Sequence, residues 1–103
     1  MYAENIFLGI GFDSEETEFG INFSRGDVEV NFDIYNAELE IINNSNGEKT
    51  TYGLSGDGDY MRHIVLPPII DEEVAEAILA VAIDIRKQYS IDDWNLQVSI
   101  GEE

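Results

Sequence analysis

Cysteine is absent from the chain, which excludes disulfides, thiolate metal sites and cysteine nucleophiles together. The absence fits a reducing compartment, and the expected location is the cytoplasm of a bacterium or of an infected bacterial host. Histidine occurs once, at His63, so the two or three imidazoles of common metal centres cannot be assembled. Lysine and arginine together number only five. Direct binding of nucleic acid or of an anionic membrane surface is therefore not expected, because both would be repelled. No apolar run approaches the roughly 18 residues of a membrane-spanning helix. The opening residues, Met1-Tyr2-Ala3-Glu4-Asn5, carry no basic region and no long apolar stretch, so no signal peptide is expected.

What the chain does have is acid. Twenty-two aspartates and glutamates give a formal net charge of −17 over 103 residues. A compact fold with this much like charge repels itself, so the excess needs a reason. A positively charged protein partner supplies one. Disorder does not, because 44% of the residues are hydrophobic and 11% aromatic, enough for a core. The length predicts a single domain over 1–103.

Hydrophobic periodicity divides the chain in two. Over about 5–66, apolar residues alternate with polar ones, as in strands with one dry face and one wet face. Ile6, Leu8, Ile10 and Phe12 form the first such series, followed by Phe19, Ile21 and Phe23. Val28, Val30, Phe32 and Ile34 come next, then Leu39 and Ile41. Ser24-Arg25-Gly26 and Asn43-Asn44-Ser45-Asn46-Gly47 read as turns, with Thr50 to Leu54 pairing back across the second. Ser55 to Asp59 reads as a loop and Tyr60 to Leu66 as a strand ended by Pro67-Pro68. The period then changes. Asp71 suits an N-cap, and Val74, Ile78, Val81, Ala82, Ile85 and Tyr89 share one face of a helix over about 72–89. Arg86 and Lys87 fall in its last turn, where positive charge is favoured. Trp94, Leu96, Val98 and Ile100 give a final strand over about 94–100. The predicted fold is α+β: an antiparallel meander of five to seven strands with one long helix on its apolar face, followed by a last strand.

The bases, not the acids, are unevenly placed along the chain. Through Glu48, eleven acids stand against one base, Arg25. On the predicted strands Glu18, Asp27, Glu29, Asp33, Glu38 and Glu40 point away from the core, with Asp13, Glu15 and Glu16 extending the array at one end. Carboxylates two residues apart on a strand are about 6.7 Å apart. That is about two phosphate steps along a DNA strand. Nucleic-acid enzymes hold phosphates in grooves lined with lysine and arginine, and a rigid acidic face can occupy such a groove. The expected function is a non-enzymatic inhibitor of this DNA-mimic type, such as a phage protein directed against restriction or CRISPR nucleases. A bacterial immunity protein that neutralises a nuclease toxin is the nearest alternative.

Other motifs fall short of chemistry. Asp57-Gly58-Asp59 resembles part of a calcium loop, but the bidentate glutamate required at loop position 12 is replaced by Pro68 or Ile70. Gly9-Ile10-Gly11 lacks the third glycine and following helix of a dinucleotide site. Carboxylate pairs such as Glu38/Glu40 have no evident cleft in which one member's pKa would rise. His63, with Met61 and Val65 on its side of the strand, reads as a packing or rim residue. No metal, cofactor or catalytic residue is therefore expected.

The helix carries a second apolar stripe through Leu79 and Ile83. A helix apolar nearly all round is normally covered nearly all round. The cover is a loop of the chain, a second copy in a homodimer, or the partner itself. The last two make Leu79 and Ile83 candidate interface residues and keep a structural or assembly module as a further reading.

Overall fold

The computed structural model describes residues 4–54, 62–88 and 96–102. The elements run α1 (Glu4–Gly9), β1 (Asp13–Glu16), β2 (Gly20–Arg25), β3 (Val28–Asp33), β4 (Glu38–Asn43), β5 (Glu48–Gly53), β6 (Arg62–Leu66), α2 (Glu72–Gln88) and β7 (Leu96–Ile100). Strands β1 to β5 form an antiparallel meander in sequence order. The long helix α2 packs on it, and the fold class is α+β as the periodicity predicts. The expected loop at Ser55 to Asp59, with Tyr60, Met61, Tyr89 and Trp94, lies outside the described residues.

Strand register explains the core. Ile21, Phe32 and Leu39 stand opposite one another across β2, β3 and β4, and so do Phe23, Val30 and Ile41. All six are buried. From the helix, Val74, Ala77, Ile78, Val81, Ala82 and Ile85 fill the other side of the same cluster. Asp71 caps α2 as expected, its carboxylate accepting the Val74 N–H at 3.0 Å.

One expectation is corrected. The predicted strand over 5–12 is instead the short helix α1 and its exit. The Gly11 N–H donates to Leu8 O at 3.3 Å and the Phe12 N–H to Phe7 O at 3.0 Å, with Gly11 at φ +90°. This is the Schellman termination, in which a residue at positive φ closes the helix. Its usual hydrophobic contact is the Phe7–Phe12 edge-to-face pair, 5.2 Å between centroids. The helix wins because it sends Phe7 and Phe12 into the core, leaving Ile6 38% and Leu8 45% exposed. The Gly-x-Gly pair at 9 and 11 thus marks a helix end, not a strand.

The predicted closing strand is present as β7 over Leu96–Ile100. β7 does not extend the meander. It pairs in parallel with β6 in a separate two-stranded sheet, so β6, α2 and β7 form a strand–helix–strand crossover.

Tyr52 ties this unit to the meander. Its hydroxyl donates to the Val65 carbonyl at 2.7 Å. Burial pushes the Tyr52 phenol above its ordinary value of 10.0. The neutral form is favoured in the folded state, so the contribution is complete below pH 10 and is lost as pH rises through the higher folded value. Tyr52→Phe is expected to lose about 1 kcal/mol of stability near neutral pH. Urea titrations at rising pH should show that deficit shrinking above about pH 10. A deficit unchanged at that pH would assign Tyr52 no part in alkaline unfolding.

Candidate functional site: the outer face of the meander

The register that buries one face defines the other. Three rows of side chains cross the outer face. The first holds Gly20, Asp33, Glu38 and Gly53; the second Glu15, Asn22, Asn31, Glu40 and Thr51; the third Asp13, Ser24, Glu29, Ile42 and Lys49. Six of the nine candidate acids therefore share this surface: Asp13, Glu15, Glu29, Asp33, Glu38 and Glu40. The only base in the rows is Lys49, on the far edge strand.

The other three candidates lie elsewhere. Glu16 stands opposite Ile21 and belongs to the core-facing side, exposed at the rim of edge strand β1. Glu18 sits in the β1–β2 connection because β2 begins only at Gly20. Asp27 lies in the β2–β3 turn, which is Gly26-Asp27, one residue later than the turn expected at 24–26. Gly26 takes φ +60° there, as a type II′ hairpin asks of its first loop residue.

The arrangement is regular along two strands. Asp13/Glu15 on β1 and Glu38/Glu40 on β4 each repeat at about 6.7 Å, and the two strands are about 14 Å apart at three strand steps. That separation is of the order of the B-DNA major-groove width, about 12 Å. On β3 the middle position is Asn31, which spaces Glu29 and Asp33 four residues apart.

Among the described residues none of the six carboxylates is in a salt bridge. Two have neutral partners: Asp33 accepts the Asn36 N–H and Nδ2, both at 2.8 Å, and Glu29 accepts Asn44 Nδ2 at 2.8 Å. Asp33 and Glu38 stand directly opposite across β3 and β4. Like charges in that relation are destabilising.

The missing counter-charge has been used on the other side of the sheet. Arg25 belongs to the core-facing row with Val28, Asn43 and Glu48. Its guanidinium donates to Ile10 O at 2.8 Å, to Asp71 at 3.0 Å and to Glu73 at 3.2 Å, and lies 4.6 Å from the centroid of the Phe12 ring. One residue thus clamps the exit of α1 to the start of α2. Its place in the middle of a predicted turn gives no hint of this. Arg86 is likewise internal at 1% exposure, with Nη1 donating to Leu54 O at 2.7 Å.

At the end of the face where Asp33 and Glu38 lie, two aromatic rings are open to solvent. Phe19 is 50% and Tyr35 75% exposed, with centroids 6.1 Å apart. The Ile34 and Tyr35 N–H groups donate to Phe19 O at 2.9 and 3.3 Å, which holds the two loops together. Alternation with Ile21 and Phe23 predicts a core position for Phe19, and the structure exposes it instead.

The remaining candidates are placed as follows. Leu79 and Ile83 are half-buried and pack against the core cluster, with β7 running beside α2. The chain therefore supplies part of the cover their stripe needs. His63 has a partner that sequence could not assign: its Nε2 lies 2.8 Å from Ser99 Oγ, on the outward side of the β6–β7 ribbon. Among the described residues no group of three histidine or acidic side chains is placed to hold a metal ion. Among them, too, no helix is long and apolar enough to cross a membrane.

No protein-family model matches the chain, and no curated protein or solved structure matches it.

Proposed function

We propose that this protein is a non-enzymatic inhibitor that docks its outer sheet face into the phosphate-binding groove of a basic, nucleic-acid-handling enzyme. One observation carries the reading: six carboxylates share one sheet face, none of them in a salt bridge among the described residues, while Arg25 is turned inward and the base of the face, Lys49, stands on its far edge strand. Such a face attracts a lysine- and arginine-lined groove over distance and accelerates encounter at low salt. The Phe19–Tyr35 pair supplies what charge alone lacks. Exposed aromatics anchor interfaces by stacking on guanidinium groups and excluding water. Phage anti-defence protein and bacterial immunity protein both suit this mode of action, and the cytoplasm is the compartment in which either would meet its target.

The test is capture of bacterial proteins on the immobilised chain, with elution by salt and by duplex DNA. The expected result is recovery of nucleic-acid enzymes that elute between about 0.2 and 1 M salt, as the Debye length falls below about 8 Å. Duplex DNA should displace them at low salt. Retention of uncharged or acidic proteins, indifferent to both eluents, would overturn the proposal and favour assembly through α2.

A further inference from the structure

The sheet edges are treated unequally. β1 is an edge of the meander and reads Asp-Ser-Glu-Glu, every residue exposed. β5, the other edge, begins with Glu48 and Lys49. Charged side chains of this kind block pairing with another chain. β7 reads Leu-Gln-Val-Ser-Ile, with no charge and no proline.

The amide directions of β7 follow from one bond. The Gly101 N–H donates to Leu66 O at 2.8 Å. Backbone groups alternate sides along a strand, so Ser99 and Gln97 also face β6, and Val98 and Ile100 face away. Among the described residues no hydrogen bond occupies the outward N–H and C=O groups of Val98 and Ile100. They border an open groove of about 380 Å³ between β7 and α2, lined by Glu72, Ala75, Glu76, Val98, Ser99 and Ile100.

We propose that this edge is a strand-addition site for an extended, basic segment of a partner protein. The backbone of the segment would bond Val98 and Ile100, as in other cases where a peptide extends a sheet. Its alternate side chains would enter the groove, whose floor is Ala75 and Val98 and whose rim is Glu72 and Glu76. Lysine and arginine suit that cross-section, because their stems lie on apolar surface while their heads stay at a wet, acidic rim. A second copy of the chain is the wrong occupant: each copy carries −17 and would bring its own Glu72/Glu76 rim alongside. This site is separate from the outer face of the meander and goes beyond the inhibitor reading, so either can fail without the other.

The probe is a capped alternating Lys-Val octapeptide, with a Glu-Val octapeptide and a Lys-Val peptide N-methylated at alternate residues as controls. Amide NMR on the intact chain should show shifts at Val98 and Ile100 with the Lys-Val peptide, and hydrogen exchange there slowed about tenfold or more as each amide gains a partner. Both controls should bind at least about tenfold more weakly. Replacing Glu72 and Glu76 with lysine should weaken the probe about tenfold while the far-ultraviolet spectrum stays unchanged. Val98→Pro should abolish binding, since that N–H points away from β6 and its loss leaves the ribbon paired. Four results would overturn the site: shifts confined to the outer face of the meander, equal binding of the N-methylated peptide, protection of Val98 and Ile100 that grows with protein concentration alone, or no response at about 1 mM peptide.

Discussion

Phe7→Ala is expected to cost about 3–5 kcal/mol, the range for truncating a buried phenylalanine. A domain of this size has only about 5–15 kcal/mol in total, so the variant should be close to unfolded in mild denaturant. The ring is fully buried. It stacks on Phe23 at 4.1 Å and 11°, and meets Phe12 at 5.2 Å and Phe32 at 6.2 Å edge-on. Ile6→Ala and Leu8→Ala should each cost less than about 1 kcal/mol, because their side chains are largely solvated. A strand over 5–12 demands the reverse order, with Phe7 on the wet side and Ile6 and Leu8 in the core. Urea midpoints of the three variants therefore decide between helix and strand. A tolerant Phe7 beside costly Ile6 and Leu8 would reinstate the strand.

That segment shows where periodicity stops being informative. Phe-Leu-Gly-Ile-Gly-Phe satisfies a two-residue alternation through Leu8, Ile10 and Phe12. It also satisfies a helix end, with an apolar residue at C3, glycine at C′ and an apolar residue at C″. Local pattern cannot rank the two, because the decision lies in whether Phe7 finds Phe23. The meander was legible for the opposite reason. Each of β2, β3 and β4 is dry on one side only, so its alternation has one solution, and Asn44 to Gly47 closes a hairpin by residue type alone. Strand β7 was legible as a strand, but alternation carries no information about its partner. The order strand, helix, strand held the clue, since a crossover through a helix brings two strands parallel.

The acidic surface was legible as composition and only partly as geometry. Alternation placed Glu29, Asp33, Glu38 and Glu40 correctly on the wet face. It does not place Glu18 or Asp27, which lie in the β1–β2 and β2–β3 connections. A side chain at Gly20 would meet the Phe32 carbonyl, so this position tolerates only the residue it has. No sequence rule pointed to Arg25. Its three hydrogen-bond partners come from the exit of α1, from α2 and from the segment before α2, which only the fold assembles. Yet Arg25 decides the character of the outer face, by neutralising charge at the helix junction instead of among the strands.

Reversing Glu38 and Glu40 to lysine separates the worth of these carboxylates to the fold from their worth to a partner. Neither side chain makes a hydrogen bond or ion pair among the described residues, so the change removes charge and breaks no contact. Glu38 faces Asp33 across the strands. Lysine there converts a repulsive pair into an attractive one, and stability should rise by about 0.2–1 kcal/mol. Association with the proposed basic partner should move the other way. Shifting four units of charge on the proposed docking face should slow the on-rate by about 10- to 100-fold at low ionic strength, with dissociation changing less. The gap should narrow as salt screens both proteins. The paired measurement is a urea titration of the free variant beside stopped-flow association across a salt series. Opposite signs in the two are what a surface shaped for a cationic groove requires, because its repulsion weakens the isolated chain and is relieved only on binding. A variant that is less stable, or that associates at the native rate, would make the outer face an ordinary solvated sheet surface.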